Sequence, residues 1–300
     1  MDFPVIAVLA ATLTVATPLV WGALGAVANE RAGIMNLGIE GTMYAGAFVG
    51  FLVAATSGSA ILGLGAAVVT GMLAGLLMAL LTVTLGVNQH VAGIGTTLLL
   101  TAGADFTNRL LYSGGGEQVV TEKFGRLFPG SGLFAQYPMT YVAFGVLAPA
   151  LWWVLRSSGF GLRLHAVGDN PEAADAAGIS VTRTRYAALA IGGALMATGG
   201  AFLTLSLLGS FTLDIVSGRG WICIALVIFG RWNVWPVVAG ALLFGFTDAL
   251  QLQLAITPLF RDVPNTLMIA IPYLVVIAAL AIWGRGVRYP GAYLTPYRRA

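Results

Sequence analysis

Most of this chain is written in continuous apolar runs about as long as a bilayer is thick. A helix needs roughly 20 apolar residues to cross the hydrocarbon core. On that ruler the runs fall at 4–28, 34–55, 60–86, 91–111, 138–156, 185–208, 211–230, 236–256 and 264–284. They are continuous rather than alternating, which excludes the strands of a membrane barrel. Composition agrees: 58% of residues are hydrophobic and 9% charged, against about 25% charged in a soluble domain. So little charge cannot cover a water-facing surface. The expected fold is all-α, a polytopic helical membrane protein of about 8–10 transmembrane helices, with 1–300 forming a single membrane domain. The run at 211–230 is the weakest. Asp214 and Arg219 fall in its first half, so a short or broken helix is expected there.

Arginine placement orients the chain. Arg156, Arg163, Arg183 and Arg185 flank the polar stretch 157–184, and Arg285, Arg288, Arg298 and Arg299 follow the last run. The other long polar connection, 112–137, carries Lys123 and Arg126 offset by Glu117 and Glu122. This asymmetry puts 157–184 and the C-terminus in the cytoplasm and makes 112–137 an external loop. Counting back puts the N-terminus outside. The first run lacks a basic leader and a cleavage site, so it reads as a retained transmembrane helix. The net charge of +3 reflects arginines at run ends and points to no nucleic acid. The single cysteine, Cys223, excludes an internal disulfide.

Against this background Arg163–Arg185, RLHAVGDNPEAADAAGISVTRTR, stands out, with three acids, three arginines and a histidine. Asp169 or Asn170 can cap a helix. Pro171 then takes the first position, where a missing N–H costs nothing. Glu172 and Asp175 lie near the positive end of the dipole. Ala173, Ala174, Ala176 and Ala177 favour the helix, and Gly178 stops it. Two turns are marginal alone, so this helix packs either on its own membrane domain or on a cytoplasmic partner.

Polar residues inside apolar runs are costly and face water or the bundle interior. Asn36 and Glu40, in NERAGIMNLGIEG, are four apart and share a face if helical. Arg219, in Ser217-Gly218-Arg219-Gly220, echoes Arg31-Ala32-Gly33 from the other half. Such corresponding interruptions suggest broken helices related by an inverted repeat. Asp248 has no local partner. Asn36, Glu40, Arg219 and Asp248 are therefore the candidate translocation pathway. Asp105 and Arg109 fit a structural i, i+4 pair better. Glu30 and Arg31 read as interfacial. Small residues three to four apart, as in GAFVG (46–50), GLGAAVVTGMLAG (63–75) and GGALMATGG (192–200), read as close helix packing.

The segment GLRLHAVGDNPEAADAAGISVTRTR (161–185) resembles the cytoplasmic coupling loop of ABC importer permeases of the branched-chain amino acid, monosaccharide and nucleoside group. NERAGIMNLGIEGTMYAGAF (29–48), GRGWICIALVIFGRWNVWPVVAGALLFG (218–245) and PNTLMIAIPYLVVIAAL (264–280) match in the expected order. The wording is most similar to the nucleoside or simple-sugar branch. The resemblance implies a bacterial plasma membrane (inner membrane) location. It also implies a second permease subunit, expected to be a different chain, two ATP-binding subunits and an extracytoplasmic solute-binding lipoprotein. It assigns ATPase coupling to the helix at Asn170–Ser180, hence to Asn170, Pro171, Glu172, Ala173, Ala174, Asp175, Ala176, Ala177 and Gly178. Trp221 and Ile222 depart from the family pattern, where smaller residues are expected.

No Gly-rich phosphate loop is written in the chain, so ATP hydrolysis is expected in separate subunits and no enzyme activity here. His90 and His165 are isolated, no metal-ligand spacing occurs, and no cofactor is expected. The function expected is transport of a small polar solute, most of all a nucleoside. A simple-sugar or amino-acid permease is the near alternative. An ion-coupled secondary transporter is the rival from another class, and an intramembrane enzyme finds no site.

Overall fold

The computed structural model describes residues 5–112, 121–130, 132–255, 265–283, 289–295 and 297. Among these, the regular elements are helices: α1 (Val5–Arg31), α2 (Ile39–Ser57), α3 (Ala60–Thr84), α4 (Gln89–Tyr112), α5 (Pro138–Ser157), α6 (Gly159–Asp169), α7 (Pro171–Ala176), α8 (Val181–Leu208), α9 (Arg219–Phe229), α10 (Val234–Ala255) and α11 (Asn265–Trp283). Six of them, α1, α2, α3, α5, α8 and α10, are long and apolar enough to cross a membrane. The chain is thus a multi-pass membrane protein. Helix α4, at 24 residues, rises about 36 Å but is diluted by polar groups.

Helix α8 is the centre of the bundle, with 78% of its apolar stretch buried, against 28% for the peripheral α5. Helices α1, α2 and α3 pack around it. The small-residue stripes make this possible. A Cβ on Gly46 would overlap the Ala197 backbone, on Gly75 the Leu189 carbonyl, and on Gly200 the Met43 carbonyl. Lipid offers no hydrophobic drive for helix association, so backbone proximity has to supply the dispersion contacts that hold such a bundle.

The bundle has two distinct ends. One carries α6, α7 and residues 289–295, where Ala292 N–H donates to Gly168 O at 2.8 Å and Leu294 N–H to Gly33 O at 3.3 Å. At the other end, Thr121 N–H donates to Gly209 O and Phe124 N–H to Leu205 O, both at 2.8 Å. Thr121 and Phe124, in the second half of the 112–137 connection, are therefore anchored on the end of α8 opposite α7. Arg285, Arg288, Arg298, Arg299 and Glu117, used above for orientation, lie outside the described residues.

The expected span 34–55 is corrected at its start, and the expected break in 211–230 is present. Residues 34–38 are not helical and α2 begins only at Ile39, because the chain breaks at Gly33 with φ +82°. The 211–230 run is not one helix either. Positive φ at Gly209, Asp214, Ser217 and Gly218 keeps it irregular up to α9, which has 11 residues. The polar stretch 157–184 holds a second, unforeseen helix, α6, started by the Ser158 side chain accepting from Gly161 N–H at 3.0 Å.

The α2–α8 contact yields a direct test. Gly200→Val forces a branched side chain into the Met43 backbone and should cost about 3 kcal/mol or more. Gly95→Val, placed where a Cβ meets nothing within 4 Å, should leave stability unchanged. Thermal unfolding of the detergent-purified chain compares them, and equal melting temperatures would contradict the packing described.

Candidate functional site

The first helix break is satisfied by side chains. Asn36 Oδ1 accepts from Gly38 N–H at 2.8 Å, Gln89 Oε1 from Met35 N–H at 2.8 Å, and Thr97 Oγ1 donates to Leu37 O at 3.0 Å. Irregular backbone at membrane depth persists only where such partners exist. Asn36 is buried, in the break itself and not on a helix, so it does not share a helical face with Glu40. The spacing argument that paired them assumed a helix the glycine interrupts.

The second break is held by Glu40, from the first turn of α2. Its Oε1 accepts from Gly218 N–H at 2.8 Å and its Oε2 from Gly220 N–H at 2.6 Å. These belong to the N-terminal turn of α9, whose leading N–H groups have no intrahelical partner. Gly220 is needed here, since a Cβ would overlap the Glu40 backbone. The carboxylate thus sits at the positive ends of two helices at once, a favourable place for a negative charge. From Arg219 to Phe229, α9 rises about 16 Å, roughly half the hydrocarbon thickness. It ends at the Arg231–Asn233 turn, beside Arg31 at the α7 end: Arg31 Nε donates to Trp232 O at 2.9 Å. The Glu40 contact therefore lies near mid-bundle. The segments 29–50 and 214–235 meet there, one break following α1 and the other α8.

Arg219, the first residue of α9, donates Nη1 to Val216 O at 3.0 Å and Ile215 O at 3.2 Å. Its charge bears on both Glu40 and Asp248 of α10. Glu40 and Arg219 are thus brought together, both half-buried, on a flank where Thr212, Leu213, Asp214, Ser217 and Trp221 are exposed, while Asp248, also half-buried, makes no direct contact with them that the structure records. Trp221 is 45% exposed, so its bulk is not enclosed among the described residues.

Sequence reasoning missed two constellations. Tyr44, one turn beyond Glu40, donates its hydroxyl to Asp105 and packs edge-on against Phe211, with ring centroids 5.2 Å apart. Its i+4 spacing from Glu40 was the available signal. Asp105 therefore has a cross-helix partner in place of the expected Arg109. Glu30, read above as interfacial, is 1% exposed. It accepts from Trp232 Nε1 at 2.6 Å and from the Tyr293 hydroxyl at 3.0 Å. Only the fold brings residues this distant together. Burial and the Glu30 charge raise the pKa of the Tyr293 hydroxyl.

At the α7 end the capping order is as read. Asn170 Oδ1 accepts from Ala173 N–H at 3.0 Å, and Pro171 opens the helix. Gly178, at φ +82°, closes it. Ile179 N–H returns to Ala174 O and Gly178 N–H to Asp175 O, both at 2.9 Å, the paired bonds of a glycine-terminated helix. Ala174 is buried against Val167 and Val181. The Tyr297 hydroxyl donates to Asp175 Oδ2 at 3.0 Å. Glu172, Ala173, Ala176, Ala177 and Gly178 remain exposed. The helix is thus fastened by one face and presents the other.

The family model described as "branched-chain amino acid transport system / permease component" matches residues 8–280. The guanosine ABC transporter permease protein NupQ of Bacillus subtilis is 33% identical over 302 residues, covering 96% of this chain and 95% of the relative. The putative glucose ABC transporter permease protein TsgC13 of Haloferax volcanii is 36% identical over 322 residues, covering 96% of each. The nucleoside ABC transporter permease protein NupC of Lactococcus lactis is 31% identical over 291 residues, covering 92% of each. No solved structure matches.

The caps of α7 can be tested separately. Asn170→Ala should cost about 1 kcal/mol, and Gly178→Val about 1–2 kcal/mol through forced positive φ. Both should speed amide exchange at Ala173 and Ala174 while leaving α8 protected. Unchanged exchange would mean that contacts, not caps, hold α7.

Proposed function

The chain belongs to the branched-chain amino acid transport system permease family of ABC transporters, and on that premise we propose that it is the permease subunit of a nucleoside importer. The carrying observation is twofold. Two relatives named for guanosine or nucleoside transport align over nearly the whole chain, and the mid-bundle site combines few charges with several polar groups. A neutral, hydrogen-bonding solute suits such a site, because it brings no charge into a medium where charge is costly. The glucose-named relative favours a second reading, a simple sugar, and charge alone does not choose between two neutral solutes.

In this proposal the pathway runs along the open flank of Glu40, Arg219 and Asp248. That flank faces a second permease subunit, expected to be a different chain. A solute-binding lipoprotein delivers from outside, with 157–184 and the C-terminus on the cytoplasmic side. ATP-binding subunits dock on the exposed face of α7, where Glu172, Ala173, Ala176 and Ala177 give a small, acidic knob. Closure of those subunits displaces α7 as a rigid body. Support for this arrangement comes from the contact of α6 with the first break, since Gly168 lies against the Arg31 backbone.

Uptake of labelled guanosine and glucose by vesicles holding the assembled importer decides the solute. Guanosine uptake competed by other nucleosides and not by glucose is expected, and the reverse overturns the nucleoside reading. Glu172→Arg with Asp175→Arg should abolish ATP-driven uptake. Persistent uptake without the ATP-binding subunits would instead support an ion-coupled carrier. Glu40→Gln should lower uptake by about tenfold or more, because a charge-assisted bond to α9 is lost. Asp105→Asn, which keeps a bond to Tyr44, should lower it less. Equal or reversed effects would remove Glu40 from the pathway.

A further inference from the structure

A cleft of about 280 Å³ opens at the α7 end, lined by Arg31 of α1, Arg156 of α5 and His165 of α6 together with Trp152 and Trp232. Three basic side chains from three helices converge there, and among the described residues no carboxylate lines the cleft. Arg31 commits Nε to Trp232 O and Nη2 to Asn233 Oδ1 at 3.2 Å, which leaves donors of its five for a ligand. The Arg156 guanidinium lies over the Trp152 ring, 5.5 Å from its centroid. His165 Nδ1 is engaged with Gly161 O at 2.9 Å, leaving the other ring nitrogen for the cleft. Burial and the Arg31 charge lower the His165 pKa, so an anion arriving in the cleft would relieve the crowding of positive charge. Asp169 bears on Arg31 and His165 but is exposed and outside the cleft. Val234, in the first turn of α10, also lines it and adds an N–H without an intrahelical partner.

The location selects the ligand. Helix α5 is the least enclosed of the apolar spans, and near its C-terminal end Trp152 is 39% and Trp153 58% exposed. Tryptophan gathers at the membrane–water boundary. The cleft therefore borders the headgroup layer and not only bulk water. A phosphodiester suits planar guanidinium donors, and basic pockets between membrane helices hold anionic headgroups. We propose that this cleft binds the phosphate of an anionic phospholipid, with Arg31 and Arg156 as its principal donors and the acyl chains lying along the exposed side of α5. The site tethers the ends of α1, α5, α6 and α10 to the bilayer beside α7.

Native mass spectrometry of the full chain in detergent, titrated with phosphatidylglycerol or phosphatidylcholine, tests this. Wild type should retain phosphatidylglycerol in preference. Arg156→Gln, an exposed position that should not disturb folding, should cut that preference about tenfold. Adding His165→Gln should reduce it further, with melting temperature checked for each variant. Equal retention of the two lipids by wild type would overturn the proposal. So would a preference untouched by Arg156→Gln in a folded protein. Displacement of bound phosphatidylglycerol by millimolar inorganic phosphate would assign the cleft to a soluble anion and overturn the lipid.

Discussion

One carboxylate joins the halves of this protein. Glu40 supplies two hydrogen bonds to the opening turn of α9. Without them, N–H groups near mid-bundle would lack partners in a medium that offers little water. Each such unsatisfied group costs several kcal/mol. A short helix starting inside a membrane is stable only if something receives its first N–H groups, and here that something is a side chain from the first turn of α2. The 11-residue length of α9, the irregular backbone before it and the close approach of Gly220 to α2 all presuppose that acceptor. Tyr44 and Phe211 then pin the second break against α2 from the side, so the contact is braced laterally as well as bonded.

The same logic operates at the α7 end with different atoms. The turn after α9 holds Arg231 and Trp232 at φ of +50° and +57°, an unfavourable conformation for bulky residues. It persists because Trp232 is held twice, by Glu30 through its indole and by Arg31 through its carbonyl. Glu30 also receives Tyr293, which ties the C-terminal segment to α1. Consequently α9 is clamped at both ends by acids of the 29–40 segment. Any rigid shift of α1 relative to α2 must be transmitted to α9, because both anchors move with their helices.

Much of this was legible in the sequence, and the exceptions have a common cause. The α7 caps were readable because Asn170, Pro171 and Gly178 act on neighbours a few residues away. The apolar runs gave the spans for the same local reason. Spacing failed for Asn36, whose relation to Glu40 was counted on a helix that Gly33 prevents. The partners of Glu30 and Glu40 were not readable, since Trp232 and Gly218 are distant in sequence and carry no pattern that pairs them, and for Asp105 the spacing could place Tyr44 on the Glu40 face but not name its partner. What the sequence could flag was the anomaly itself, acids in apolar surroundings. Which partner resolves each one is decided by the fold.

On the pathway proposed above, the two breaks also account for how so few charges suffice. A pathway built from side-chain charges alone would need each one compensated in a low-dielectric interior, at a desolvation cost that grows with their number. Broken helices provide polar groups of another kind, backbone N–H and C=O dipoles exposed where the helix stops. At the Glu40–Arg219 junction the positive ends of two helices, one carboxylate and one guanidinium lie together. Such a cluster can accept and donate hydrogen bonds without presenting a large net charge. For a neutral solute that is the useful combination, since it offers specific partners yet no strong field to trap the solute midway.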